Sequence, residues 1–313
     1  SIGGAAYWGE PYASEIGIPL KYGLHQTVAD TVGVGGIFRF LRTANEHLQF
    51  AKDMEQACPD ALMLNYTNPM AMLTWLHSEG SSIQNVGLCH SVQGTTKKLA
   101  DGIDVPYEEV SYLVAGINHQ AWLLEIAAGA RDLYPEIKKR AARLNRQGRK
   151  KGAEKHGDMV RLEMMRHFGY YITESSEHSA EYMPYWIKSQ YPELIEEFNI
   201  PLDEYPRRCI GLIERWKTQR RELVDNKKLT HERTHEYGSY IMEAMETDVP
   251  FRISGNVPND GLITNLPQRA IVEVACLVDR NGVQGTYVGD LPAQLAALNR
   301  TNINVHLLAL DAA

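Results

Sequence analysis

The chain has 313 residues, 44% hydrophobic and 23% charged, and its 32 Lys and Arg against 39 Asp and Glu give a formal charge of −7. That length and apolar content support one large or two moderate folded domains and exclude a wholly disordered chain. The acidic balance excludes the basic footprint that phosphate binding leaves, and no apolar run approaches the roughly 20 residues that span a bilayer, so neither nucleic acid nor a membrane is expected as a partner.

The predicted elements of the first 120 residues alternate as a wound α/β sheet requires. The chain opens on Ser1 and Gly3-Gly4 as though in the middle of an element, without the basic stretch and apolar run of a leader. From Ile37, apolar residues at Leu41, Ala44, Leu48, Ala51, Met54 and Cys58 keep helical spacing until Pro59. Ala61 to Leu64 is a short strand-like run ending at the turn Asn65-Tyr66-Thr67-Asn68-Pro69, and Met70 to His77 reads as helix. Asn85 to Cys89 reads as a buried strand, Ser91 to Ala100 as a helix and Val110 to Ala115 as another strand. The basic stretch Lys139 to Lys155 reads as a solvated loop. Helical patterns fill Asp158 to Phe168 and Asp203 to Glu246. Strand-like runs follow at Phe251 to Ser254, Ala270 to Leu277 and Gln284 to Val288, and a helix starts at Pro292 that is still unfinished at Ala313. The expected organisation is a Rossmann-like parallel-sheet domain over 1–120 and an α+β substrate domain over 121–313. Four cysteines without a CxxC pair speak for free thiols in a reducing cytoplasm.

Ligands of open α/β sheets bind beyond the carboxyl ends of the strands, which directs attention to the polar residues after each apolar run. Those are Gly3-Gly4, Asn65 to Pro69, Cys89-His90-Ser91, and Gly116-Ile117-Asn118-His119. Singly, each has an ordinary structural explanation, because glycines and Asn-Pro turn chains and a lone Cys or His is usually core. Together, Cys89 and His119 end successive strands, and a thiolate beside a neutral imidazole makes half of an open metal site. Ligand softness alone favours zinc or iron there. A second polar cluster, Thr173 to Tyr182, carries Glu174, Glu177, His178 and Glu181. It can supply acid and base groups, and a helix-capping signal accounts for part of it. Gly33-Val34-Gly35-Gly36 before a helix resembles a backbone anion cradle. No strand leads into G-x-G-x-x-G, so a pyrophosphate loop would belong to a first βαβ unit outside this chain.

The strings His25-Gln-Thr-Val-Ala-Asp-Thr31, Gly35-Gly-Ile-Phe-Arg39, Asn65-Tyr-Thr-Asn-Pro-Met-Ala-Met72, Gly87-Leu-Cys-His-Ser-Val-Gln-Gly-Thr95, Ala115-Gly-Ile-Asn-His119 and Tyr171-Ile-Thr-Glu-Ser-Ser-Glu-His178 resemble glycoside hydrolase family 4. The resemblance is greatest to its α-galactosidase branch. Further similarity at Gly255 to Leu262, Val272 to Val278 and Leu298 to Asn304 extends it over essentially the whole chain.

The resemblance implies a lactate/malate dehydrogenase-like fold, lacking here its opening βαβ unit and final helices, and an NAD- and Mn²⁺-dependent hydrolase, an exception to two-carboxylate glycosidases. In the family scheme sugar C3 is oxidised, C2 is deprotonated, the glycosidic oxygen is eliminated, water adds, and the hydride returns. Carried over by motif, Cys89 and His119 correspond to metal ligands, and Gly3, Gly4 and Asn65 to the NAD loops. Asn68, Asn118 and His178 correspond to sugar contacts. His90 stands where a related branch has an acidic Asp, and Glu174, then Glu177, are the candidates for the C2 base. With substrate hydroxyls and water completing the metal's shell, manganese becomes acceptable despite the thiolate. An α-galactoside substrate and a homo-oligomer are expected from the same resemblance. The rival readings are an NAD-dependent sugar or 2-hydroxy acid dehydrogenase and an inert sugar- or nucleotide-binding module.

Overall fold

The computed structural model describes residues 10–150, 152–226, 228, 232–234 and 236–313. Helices α1 (Glu10–Lys21) and α2 (Gly33–Ala57) lead into strand β1 (Met63–Asn65), helix α3 (Met70–Gly80), strand β2 (Asn85–Leu88) and helix α4 (Ser91–Asp101). Strands β3 (Val110–Ile117), β4 (Gln120–Ala128) and β5 (Arg131–Asp132) follow, then helices α5 (Tyr134–Gly148) and α6 (Met159–Phe168). After strand β6 (Tyr171–Ile172) come helices α7 (Ser176–Tyr182), α8 (Glu193–Glu197), α9 (Glu204–Asp225) and α10 (Gly238–Thr247). Strands β7 (Phe251–Pro258), β8 (Ile271–Asp279) and β9 (Gly282–Gly285) and helix α11 (Ala293–Ala312) complete the described chain.

All nine strands join one sheet, in the order β1-β2-β7-β8-β3-β4-β5, with β6 on β4 and β9 on β8. The expected α/β class holds, but the sheet is mixed rather than parallel. Only β1 and β2 pair in parallel, and the other strand pairs, β2 with β7 included, are antiparallel. The expectation rested on the alternation of strand-like and helical runs, which is how a wound parallel sheet reads. That alternation does not fix pairing, and here helices cover antiparallel strands as well as the parallel pair. Along β3, Ala115 and Ile117 join a core with Trp75 of α3, Ile241 of α10 and Ile303 of α11. The alternate residue Val114 faces Leu99 of α4, Ile137 of α5 and Leu162 of α6, as the two-residue period of a strand requires.

The basic stretch is largely helical, because α5 buries Ile137, Ala141 and Asn145 on one face while its charges point outward. Those charges hide its apolar spacing in the sequence. The helical pattern from Asp203 to Glu246 is two helices, α9 and α10. The Gly33 to Gly36 segment is not an open anion cradle. A Cβ on Gly35 would lie 2.7 Å from the Ala29 carbonyl oxygen, and one on Gly36 would lie 2.4 Å from the Thr31 carbonyl carbon. These glycines let α2 press against the preceding segment. Gly3 and Gly4 lie outside the described residues. Among the described residues, no helix is long and apolar enough to cross a membrane.

Candidate active site and metal centre

Strand pairing assembles the site. The two-residue turn Asn118-His119 joins β3 to β4, whose register pairs Ile117 with Gln120. His119 adopts φ 61° there, a left-handed conformation uncommon outside glycine. Strand β6 pairs with β4 through Trp122 with Ile172 and Leu123 with Tyr171, and Thr173 N–H donates to the Ala121 carbonyl at 3.0 Å. This register brings Glu174 alongside the turn. The buried Arg161 reinforces the placement by donating to the Thr173 carbonyl at 3.3 Å while its charge is matched by Asp158 at 2.6 Å. From the other side, Cys89 leaves the end of β2.

Among the described residues, the ligand atoms of Cys89, His119 and Glu174 all lie within 4.8 Å of one another. Glu174 Oε2 is 3.4 Å from His119 Nε2 and 3.9 Å from Cys89 Sγ. Burial pushes the Cys89 thiol well above its ordinary pKa, and the Glu174 and Glu273 carboxylates push it further. Burial also lowers His119 to about 4, outweighing the opposing influence of Glu174, so its imidazole is neutral. Glu174 stays ionised: burial alone would raise it, but His119, His178 and the Ser175 N–H hold it below the ordinary carboxylate value. A thiol able to lose its proton to a cation, a neutral imidazole and a carboxylate suit a divalent metal, and the carboxylate makes the set harder than Cys and His alone. The fit therefore rests on the donor chemistry of this chain.

His178 stands behind His119, with ring centroids 4.5 Å apart, and its Nε2 lies 3.6 Å from Asp30 Oδ1. Burial opposes its charge, yet Glu174 and Asp30 raise it to about 9. Burial would raise Asp30, but the adjacent His178 charge, with Arg39 and His119, holds it far below its ordinary value. Asn68 reaches the same carboxylate, with Nδ2 3.5 Å from Asp30 Oδ2. Asn118 is buried, and neither its amide nitrogen nor its carbonyl oxygen has a hydrogen-bond partner among the described residues. Buried amides are rarely left so, and the pair is free for a ligand.

The other expected residues lie elsewhere. Asn65 spends its side chain on the loop after β1 and on helix α3, accepting from Thr67 N–H at 2.9 Å and donating to Thr74 Oγ1 at 3.2 Å. Glu177 is turned toward Arg208 of α9 at 3.4 Å and is not part of the Cys–His–Glu cluster. Ser175, not a Ser/Glu pair, caps α7, with His178 donating its N–H to Ser175 Oγ. His90 is on an exposed rim, its Nε2 2.7 Å from Glu236 Oε2 and its ring stacked on Tyr66 at 5.4 Å.

Asp30, Thr31, Tyr237 and Glu273 escaped the sequence reading. Tyr237 donates its hydroxyl to the Cys89 carbonyl at 3.0 Å, and its side chain packs edge-on to His90 with centroids 5.7 Å apart. For Asp30 and Thr31 a signal existed in the string from His25 to Thr31. Glu273 offered one too, as a lone acid in an apolar strand.

Fold and site together define the class: an α/β protein with a largely buried candidate metal centre where three strand ends meet. The family 4 glycosyl hydrolase profile matches residues 10–105, and the family's C-terminal domain profile matches residues 114–313. An alpha-galactosidase of Bacillus subtilis is 57% identical over 95% of this chain and 67% of its own length. A solved Bacillus subtilis protein assigned as a glucosidase is similar at 27% identity with TM-score 0.87, covering 97% of this chain and 73% of that one. A 6-phospho-alpha-glucosidase from gut microorganisms, solved with NAD and Mn²⁺, shares the fold at TM-score 0.74 and 22% identity, over 96% of this chain and 69% of that one. This chain belongs to glycosyl hydrolase family 4. It spans about two thirds of the length of the curated relatives it matches.

Proposed function

We propose that the protein is an NAD- and divalent-metal-dependent α-galactosidase. The observation that carries this reading is the convergence of Cys89, His119 and Glu174 within 4.8 Å, supported by the similarity to an alpha-galactosidase at 57% identity. Cys89, His119 and Glu174 would hold the metal, and NAD would lie against the β1 end and residues outside the described chain, Gly3 and Gly4 among them. When bound, NAD would supply a hydride acceptor for sugar C3 and the metal a Lewis acid at the C3 oxygen.

The chain's own residues divide the remaining work. Glu174, held as a carboxylate, would accept the C2 proton as well as hold the metal. Asn118, whose amide has no partner among the described residues, would serve sugar hydroxyls, and Asn68 and the charged His178 would supply further hydrogen bonds. His90, on the rim and tied to Glu236, would donate a proton to the departing glycosidic oxygen. Glu177, held at Arg208, serves the packing of α7 on α9. Asn65 shapes its loop through Thr67 and Thr74 and would meet NAD through that loop's backbone.

A homo-oligomer fits this reading, since α9 leaves Ile210, Leu212, Ile213 and Trp216 exposed, and exposed apolar surface of this kind is available to a partner. Four free cysteines suit the cytoplasm.

The test is hydrolysis of 4-nitrophenyl α-galactoside and α-glucoside, by this chain and by a form extended to the relatives' length, with and without NAD⁺ and Mn²⁺. The reading expects galactoside cleavage by the extended form that needs both additions and is lost in Cys89→Ser. Stoichiometric NADH in place of cleavage would favour a dehydrogenase.

A further inference from the structure

Residues 26–31 form a buried strap across the site, and one carboxylate holds it. Thr27, Val28 and Ala29 donate consecutive backbone N–H groups to Glu181 Oε1 at 2.5, 2.8 and 3.0 Å, and Ala29 also reaches Oε2 at 3.3 Å. Successive amides converging on one point make an anion nest. Ala29 completes it at φ 60°, a conformation an alanine holds only where its surroundings impose it. An apolar side chain in place of Glu181 would leave three buried donors without an acceptor.

The next two residues of the strap touch the metal centre. Thr31 donates its hydroxyl to Asp30 Oδ1 at 2.8 Å, and Thr31 Oγ1 lies 3.3 Å from His119 Nδ1. With its own proton committed to Asp30, Thr31 Oγ1 can only accept from Nδ1–H. That hydrogen bond fixes the tautomer of His119 and leaves the Nε2 lone pair directed toward Glu174 and Cys89, the arrangement a metal-binding imidazole needs. Asp30 meanwhile faces His178.

We propose that Glu181 is a positioning residue for the metal centre, acting through the strap to hold Thr31 against His119 and so to set the orientation and tautomer of that ligand. The proposal rests on the reading of Cys89, His119 and Glu174 as a metal site. It assigns Glu181, which neither contacts the ligands nor belongs to their set, a role in metal affinity and not only in folding.

The test measures Mn²⁺ dissociation constants by paramagnetic resonance of the free ion, alongside urea unfolding, for the wild type, Glu181→Gln, Glu181→Met and Thr31→Val. Glu181→Gln keeps one oxygen for the three amides and is expected to stay within about threefold of wild-type affinity. Glu181→Met and Thr31→Val are expected to lose affinity by roughly 10–100-fold, the range found for groups that orient metal ligands. Thr31→Val leaves the nest intact, so its loss cannot be ascribed to unfolding of the strap, and it decides the matter if Glu181→Met does not fold. Wild-type affinity in a folded Glu181→Met, or in Thr31→Val, would overturn the positioning role. Failure of the wild type itself to take up Mn²⁺ would overturn the metal reading instead.

Discussion

Glu174 Oε2 lies 3.4 Å from His119 Nε2, and the same oxygen faces the Cys89 thiol. A sulfur and a nitrogen donor alone suit zinc or iron, and this oxygen shifts the set toward harder cations.

Glu174→Gln should therefore weaken Mn²⁺ more than Zn²⁺. Removing the anionic donor while keeping its shape is expected to cost Mn²⁺ affinity on the order of tenfold, with a smaller loss for Zn²⁺ that still has thiolate and imidazole. Competition titrations with the two metals read this directly. Equal losses for both would mean that Glu174 is not a ligand and acts on the substrate alone.

Much of this site was legible in the sequence because it sits on strand ends. Cys89 and His119 each follow an apolar run, and runs of that kind show plainly; Glu174 was legible only as part of a polar cluster and as a base, because the two-residue strand β6 before it is too short to show. What could not be read was the pairing. The place of β8 between β7 and β3, and of β6 beside β4, depends on contacts between residues far apart in the chain, whereas apolar spacing reports only burial. Helix α5 was hidden for the opposite reason, since the charges on its exposed face masked its buried stripe. Asp30 and Thr31 belong to a strap without regular structure, which carries no periodic signal, and only its hydrogen bonds to Glu181 and His119 reveal its use.

Gly36→Ala tests how tightly that strap is packed. The added methyl would sit 2.4 Å from the Thr31 carbonyl carbon and 2.7 Å from its oxygen, so either α2 or the strap has to move. Overpacking against backbone costs about 1–3 kcal/mol, and movement of Thr31 would also disturb His119. Urea unfolding and Mn²⁺ affinity should both decline. A variant with unchanged stability would show that α2 slides freely on the strap.

Glu273 occupies the middle of β8, opposite Gly116 on one side and Asn256 on the other. It is fully buried, and among the described residues neither carboxyl oxygen has a hydrogen-bond partner. Burial, and next the nearby Glu174 charge, raise its pKa from 4.5 to about 8 despite the opposing amide of Asn256. The folded chain thus keeps a proton that the unfolded chain releases. The sign follows: this group's contribution to stability is complete below pH 4.5 and is lost as pH rises to about 8, at about 1.4 kcal/mol per pH unit within that window. Glu273→Gln preserves shape and hydrogen-bonding capacity but cannot ionise. In the presence of a chelator, the urea stability of the variant relative to wild type should therefore climb between pH 5 and pH 8 and level off above, while the other carboxylates cancel in the difference. A difference that stays flat across this range would mean that Glu273 is already ionised in the folded chain, held by a cation or water that satisfies its two oxygens.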